Sequence, residues 1–201
     1  MKNWYRKTSL GLALALTILA QLATSYSARA QDPAVYYIAG AALATVLPGF
    51  AFDLPQPDAN RSYVKMSGGY FDAVDDEQTA LDFSLEYQPG FTWYRIKPLF
   101  GVAGNTDGSF YGWLAAAHDF HLTKRLVVNF NIGPALYVVG KKGKNLGSSA
   151  VLRSGFEAGY RFNGGTRLTG SFHHMSHGKF LNSDLNPGTE TIAVNISWPL
   201  N

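Results

Sequence analysis

Cysteine is absent from this sequence, which excludes both a disulfide framework and a thiol nucleophile. Blocks of like charge, an acidic or basic tail, internal repeats and low-complexity tracts are missing as well, so nothing marks a nucleic-acid partner. The longest apolar run, Leu10 to Leu22, follows Lys2, Arg6 and Lys7 and precedes Ala28-Arg29-Ala30. That is the pattern of a secretory signal peptide, which predicts removal of residues 1–30 and a mature chain starting at Gln31. The segment carries four of the 17 basic residues and none of the 14 acidic ones, so its loss turns a net charge of +3 into −1. Beyond it no apolar run is long enough to cross a bilayer as a helix. Ala34 to Phe52 comes nearest but is interrupted by Gly40, Pro48 and Gly49, and reads as a short helix or irregular stretch within an N-terminal segment, 31–61.

The whole sequence has 14% aromatic residues and 21 glycines, and alternation marks its remainder. From Ser62 onward eight segments alternate in character: 62–74, 80–88, 92–104, 108–122, 125–139, 149–162, 166–177 and 190–199. In the fifth, Leu126, Val128, Phe130, Ile132, Leu136 and Val138 share one side, while Arg125, Asn129, Asn131 and Gly133 share the other. In the sixth, Leu152, Phe156, Ala158, Tyr160 and Phe162 oppose Arg153, Glu157 and Arg161. Period two makes these strands, and their length suits tilted strands crossing a membrane.

Alternation alone does not distinguish a soluble sandwich from a membrane barrel, but the connections do. The turns at Pro89-Gly90, Thr123-Lys124 and Asn163-Gly164-Gly165 are short, whereas 75–79, 105–107, 140–148 and 178–189 are mostly longer and more polar. Short turns on one side and long loops on the other predict an all-β fold, an eight-stranded antiparallel transmembrane barrel of the bacterial outer membrane spanning 62–201, with its long loops extracellular. Tyr87, Tyr94, Phe120, Tyr160, Phe162 and Trp198 then form an aromatic girdle at the periplasmic end. Eight strands leave an interior filled by side chains, so a channel is not expected.

The seventh segment places Leu168, Gly170, Phe172, His174 and Ser176 on its outward side, and Arg167, Thr169, Ser171, His173, Met175 and His177 on the inward one. Counting back by two from Ile192 on the eighth brings Glu190 to the same outer face. A hydroxyl, an imidazole and a carboxylate on adjacent strands are the parts that acyl transfer uses: nucleophile, general base and the group that fixes the base's tautomer. Any one of them alone is more simply an interfacial polar residue; three in phase point to ester hydrolysis. The cluster His173-His174-x-x-His177 does not make a metal site, since alternation separates its members, and no cofactor is implied. Lys141, Lys142 and Lys144 either meet anionic phosphate groups or form a solvated hairpin tip.

These residues resemble the PagL-type lipid A 3-O-deacylases, acyloxyacyl hydrolases of the outer membrane. The resemblance runs through Asn145-Leu146-Gly147-Ser148, Arg153-Ser154-Gly155, Gly159-Tyr160-Arg161-Phe162, Phe172-x-His174-x-Ser176 and Asn186-Pro187-Gly188-x-Glu190, and more loosely back to Tyr63. It implies hydrolysis of the 3-O-linked 3-hydroxyacyl ester of lipid A in lipopolysaccharide, near the extracellular leaflet, with Ser176 as nucleophile, His174 as base and Glu190 orienting it. His177 stands where the family usually has Asn, which leaves three oxyanion candidates: the His177 and Gly178 amides and the Asn186 side chain. Alternatives from other classes are an outer-membrane phospholipase and a non-enzymatic structural or adhesin barrel. A homodimer in the membrane is left open.

Overall fold

The computed structural model describes Gly40 and residues 57–74, 77–93, 95–178 and 185–200. The expected signal peptide, and the 31–61 segment up to residue 56 apart from Gly40, lie outside them, as do Tyr94 and residues 179–184. Eight strands follow in order: β1 (Tyr63–Phe71), β2 (Ala80–Gln88), β3 (Ile96–Asn105), β4 (Phe110–His121), β5 (Leu126–Val138), β6 (Ala150–Arg161), β7 (Arg167–Ser176) and β8 (Thr189–Pro199). Each pairs antiparallel with its neighbour, and β8 returns to β1, with Tyr63 opposite Pro199 and Phe71 opposite Thr191. Closure satisfies every strand edge, which a bilayer demands because it offers backbone groups no water.

The outer wall carries the apolar positions that the alternation marks, among them Leu126, Leu136, Val138, Phe156, Leu168, Ile192 and Val194, all exposed. β3 begins at Ile96 rather than Thr92, because Trp93 and Ile96 close a tight bridge across Arg95, whose φ is +68°. Of the expected girdle, Tyr87, Phe162 and Trp198 are exposed on the outer face. Phe120 is instead buried, edge-on against His118 and Phe130, since the carbonyl of Arg95 accepts a hydrogen bond from His118 and draws the β2–β3 turn over it.

The interior has two storeys. Toward the periplasm it is ionic: Lys65 bridges Glu86 and Glu157, and Arg167 bridges Asp119 and Asp58. Such charges occur as pairs because a lone buried ion costs several kcal/mol. Asp58 comes from the turn before β1 and closes the periplasmic mouth, accepting two parallel bonds of 2.8 Å from Arg161 and one each from Arg167 and His121. Toward the extracellular rim the interior is apolar and aromatic. Phe71 stacks on Tyr137, Tyr111 packs against Trp113, and Leu146, folding in from the β5–β6 loop, is fully buried beside them. This plug of rings supports the rim on which the outward polar cluster stands.

Candidate active site

β7 brings the first two residues together by its pleat. His174 and Ser176 share its outer face, two positions apart, and the His174 Nε2 lies 3.1 Å from the Ser176 Oγ. The register of β8 supplies the third: Glu190 is the direct cross-strand partner of His174, and its Oε1 lies 2.7 Å from the ring's Nδ1. A carboxylate only accepts, so Nδ1 carries the proton and Nε2 presents its lone pair to the Ser176 hydroxyl. The three form a continuous hydrogen-bonded chain, the arrangement that makes an alcohol nucleophilic.

The site is more enclosed than outward placement alone predicts. His174 is 8% exposed and Ser176 not at all, because the chain returning to β8 folds back over them. Gly188, at a φ of +69°, lies against the His174 ring, and the side-chain oxygen of Asn186 accepts a hydrogen bond from the His177 amide. The His177 ring donates from Nε2 to the carbonyl of Leu185 at 2.7 Å. β7 ends at Ser176, so period two does not govern His177, and its ring ties the two ends of the β7–β8 loop rather than following His173 inward. Gly147 permits the β5–β6 loop to close in as well; a Cβ there would meet the Leu185 carbonyl at 1.9 Å.

Beside Ser176 the outer wall is hollowed into a groove of about 600 Å³, lined by Gly112, Leu114, Pro134, Leu136, Ala150 and Leu152, with His177 at one end. Leu152 is the cross-strand partner of Ser176, so the groove begins on the strand next to the serine and crosses β6, β5 and β4. Sequence reading missed it, since it arises from small residues, Gly112 and Ala150, that come to flank Leu136 on its two sides only once the register is fixed.

The other sequence candidates divide. His173 is buried inside the barrel within reach of Asn131, apart from the chain at Ser176. Lys141 and Lys142 are exposed in the β5–β6 loop. Lys144 corrects the expectation of a surface phosphate contact: it is 4% exposed, and its ammonium is engaged by Asp72 at 2.6 Å. Among the described residues no group of three or more His, Asp or Glu side chains is placed to hold a metal ion.

The closed barrel with its apolar outer wall defines a class, a β-barrel protein of the outer membrane. The model of the family described as lipid A 3-O-deacylase (PagL) matches residues 77–199, and the chain belongs to that family. Among solved structures it is similar to the outer membrane enzyme PagL, at 18% identity and a TM-score of 0.56 over 69% of this chain and 99% of that one. It is also similar to the N-terminal β-barrel domain of Pseudomonas aeruginosa OprF, at 12% identity and a TM-score of 0.52 over 70% of this chain and 98% of that one. At such identities these structures bear on the fold. No curated protein matches the chain. The activity that goes with the family is deacylation of lipid A in the outer membrane.

Proposed function

We propose that the deacylation runs through Ser176 as nucleophile, with His174 as general base and Glu190 holding the imidazole. The unbroken chain from Glu190 through His174 to Ser176 carries this reading. His174 takes the Ser176 proton as Oγ attacks the ester carbon, then gives it to the departing sugar oxygen. Water, deprotonated by the same nitrogen, attacks the acyl-serine and releases a 3-hydroxy fatty acid. The acyl chain of the ester occupies the groove beside Leu152, an apolar bed for an apolar chain. The oxyanion falls to the loop that follows Ser176, where the His177 amide donates to the Asn186 side-chain oxygen. Lys141 and Lys142 stand on the extracellular side, where lipid A phosphates would pass. Residues 1–30 are assigned as the removed signal peptide, with the barrel domain over 62–201.

Mass spectra of lipid A and phospholipids from cells producing the protein or its Ser176→Ala variant test the reading. The wild type should remove one 3-hydroxyacyl chain from lipid A and the variant none. Loss from phospholipid instead would make it a phospholipase, and an active variant would remove Ser176 from the chemistry.

A further inference from the structure

Asp72 sits at the extracellular end of β1, is fully buried, and adopts a φ of +56°, in the left-handed region that Asp and Asn tolerate better than other side chains. Its carboxylate collects donors from three parts of the chain. The amides of Glu77 and Gln78, in the β1–β2 loop, donate to Oδ2 at 3.2 and 2.9 Å. Oδ1 takes the ammonium of Lys144, from the β5–β6 loop, at 2.6 Å and the hydroxyl of Thr189, the first residue of β8, at 3.4 Å. Thr189 is as fully buried as Asp72, and Lys144 is buried as well.

The residue after Thr189 is Glu190. Its carbonyl accepts a hydrogen bond from the amide of Ala73 at 3.0 Å, which extends the β1–β8 ladder past Phe71. Glu190 is therefore held on both sides of its α-carbon by the turn that Asp72 anchors. Strand ends fray, and Glu190 is only the second residue of its strand. Without that anchor the start of β8 is held from the β7 side alone, through the pairs Met175–Thr189 and His174–Glu190.

We propose that the buried Asp72–Lys144 pair is a positioning device for the reaction, setting the start of β8 so that Glu190 meets the His174 Nδ1. The proposal rests on the assignment of Glu190 above. It also gives Lys144 a role that surface loops do not need: a buried ammonium, tied through its own carbonyl to the Tyr137 hydroxyl at 2.9 Å, fastens the β5–β6 loop to the same point. The β1–β2 loop, the β5–β6 loop and the start of β8 are thereby joined at one carboxylate.

The test is a pair of double-mutant comparisons on purified, refolded barrel, with rates normalised to the heat-modifiable folded fraction. Asp72→Asn keeps the left-handed backbone and the acceptor oxygen but removes the ion pair. Lys144→Met removes it from the other side, and Lys144→Arg restores it. Asp72→Asn and Lys144→Met should each lower kcat roughly 10- to 100-fold with KM unchanged, as a displaced catalytic array does. Lys144→Arg should recover most of the rate. In a Glu190→Ala background neither variant should cost more, because both act through Glu190. If Asp72→Asn lowers the rate of Glu190→Ala by the same factor as it lowers wild type, the positioning role is overturned and the pair is a general staple. If Glu190→Ala is itself as active as wild type, the assignment of Glu190 falls, and the positioning role with it.

Discussion

A Cβ on Gly188 would stand 2.9 Å from the Cε1 of His174, so the absence of a side chain at one residue leaves room for the ring of the other. Gly188→Ala meets two obstacles, that contact and a φ of +69°. The cheapest relief is rotation of the imidazole away from Ser176. Gly188→Ala should therefore insert and fold yet lose roughly tenfold or more in kcat. A variant that folds and keeps full turnover of lipid A would show that the ring is not held against Gly188 during the reaction.

Within the chain of three, the losses should be unequal. Ser176→Ala and His174→Asn should each cost roughly a thousandfold or more, whereas Glu190→Ala should retain more activity and Glu190→Gln should fall between. His173→Ala, whose ring is inside the barrel, should lower the urea midpoint of unfolding while leaving turnover per folded molecule unchanged. An inactive His173 variant beside an active His174 variant would shift the assignment of the base by one residue.

Asp58 governs acid sensitivity at the periplasmic mouth. Burial raises its carboxyl, but bonds from His121, Arg161 and Arg167 outweigh that and hold it well below the ordinary carboxylate range. A carboxyl lowered by folding contributes its full stabilisation above about pH 4, the unfolded value, and loses it progressively as pH falls toward the folded one. Asp58→Ala should cost about 3 kcal/mol at pH 7, since it takes the carboxylate from the half-buried Arg161 and leaves the buried Arg167 with Asp119 alone. The difference between wild type and variant should shrink below pH 4. Equal slopes of stability against pH for the two proteins from pH 4 to 2 would contradict this.

The groove should set chain-length tolerance. Ala150→Phe fills the space beyond Leu152 and should slow release of long acyl chains several-fold more than short ones. Competition between lipid A species of different acyl length, read by mass spectrometry, gives the ratio directly. An unchanged ratio would place the acyl chain elsewhere on the wall.

The strands were legible because the bilayer imposes one rule on every outer position, and Leu126, Phe156 and Leu168 obey it. The same parity was enough to bring Ser176, His174 and Glu190 to one face, and the register places Glu190 directly opposite His174. What parity does not reach is any residue past a strand end. His177 was expected to follow His173 inward but turns to Leu185, because the strand stops at Ser176. Lys144 looked like one of three equivalent loop lysines; only its contact with Asp72, 72 residues away, separates it from Lys141 and Lys142. The enclosure of Ser176 has the same origin, since it depends on how the β7–β8 and β5–β6 loops meet.

With Ser176 as the proposed nucleophile on the lipid side of a closed wall, the reactant arrives sideways through the leaflet and not from solution. Encounters are two-dimensional, and the concentration that governs them is the mole fraction of lipid A among its neighbours. Mixing in an inert amphiphile should slow the enzyme even when the bulk amounts of protein and lipid A stay fixed. Adding water to the same mixed micelles should leave the rate per enzyme almost untouched. Tight leaflet packing, such as divalent cations impose between neighbouring phosphates, would act on this protein as a viscosity, limiting the lateral traffic past the rim rather than the chemistry at the serine.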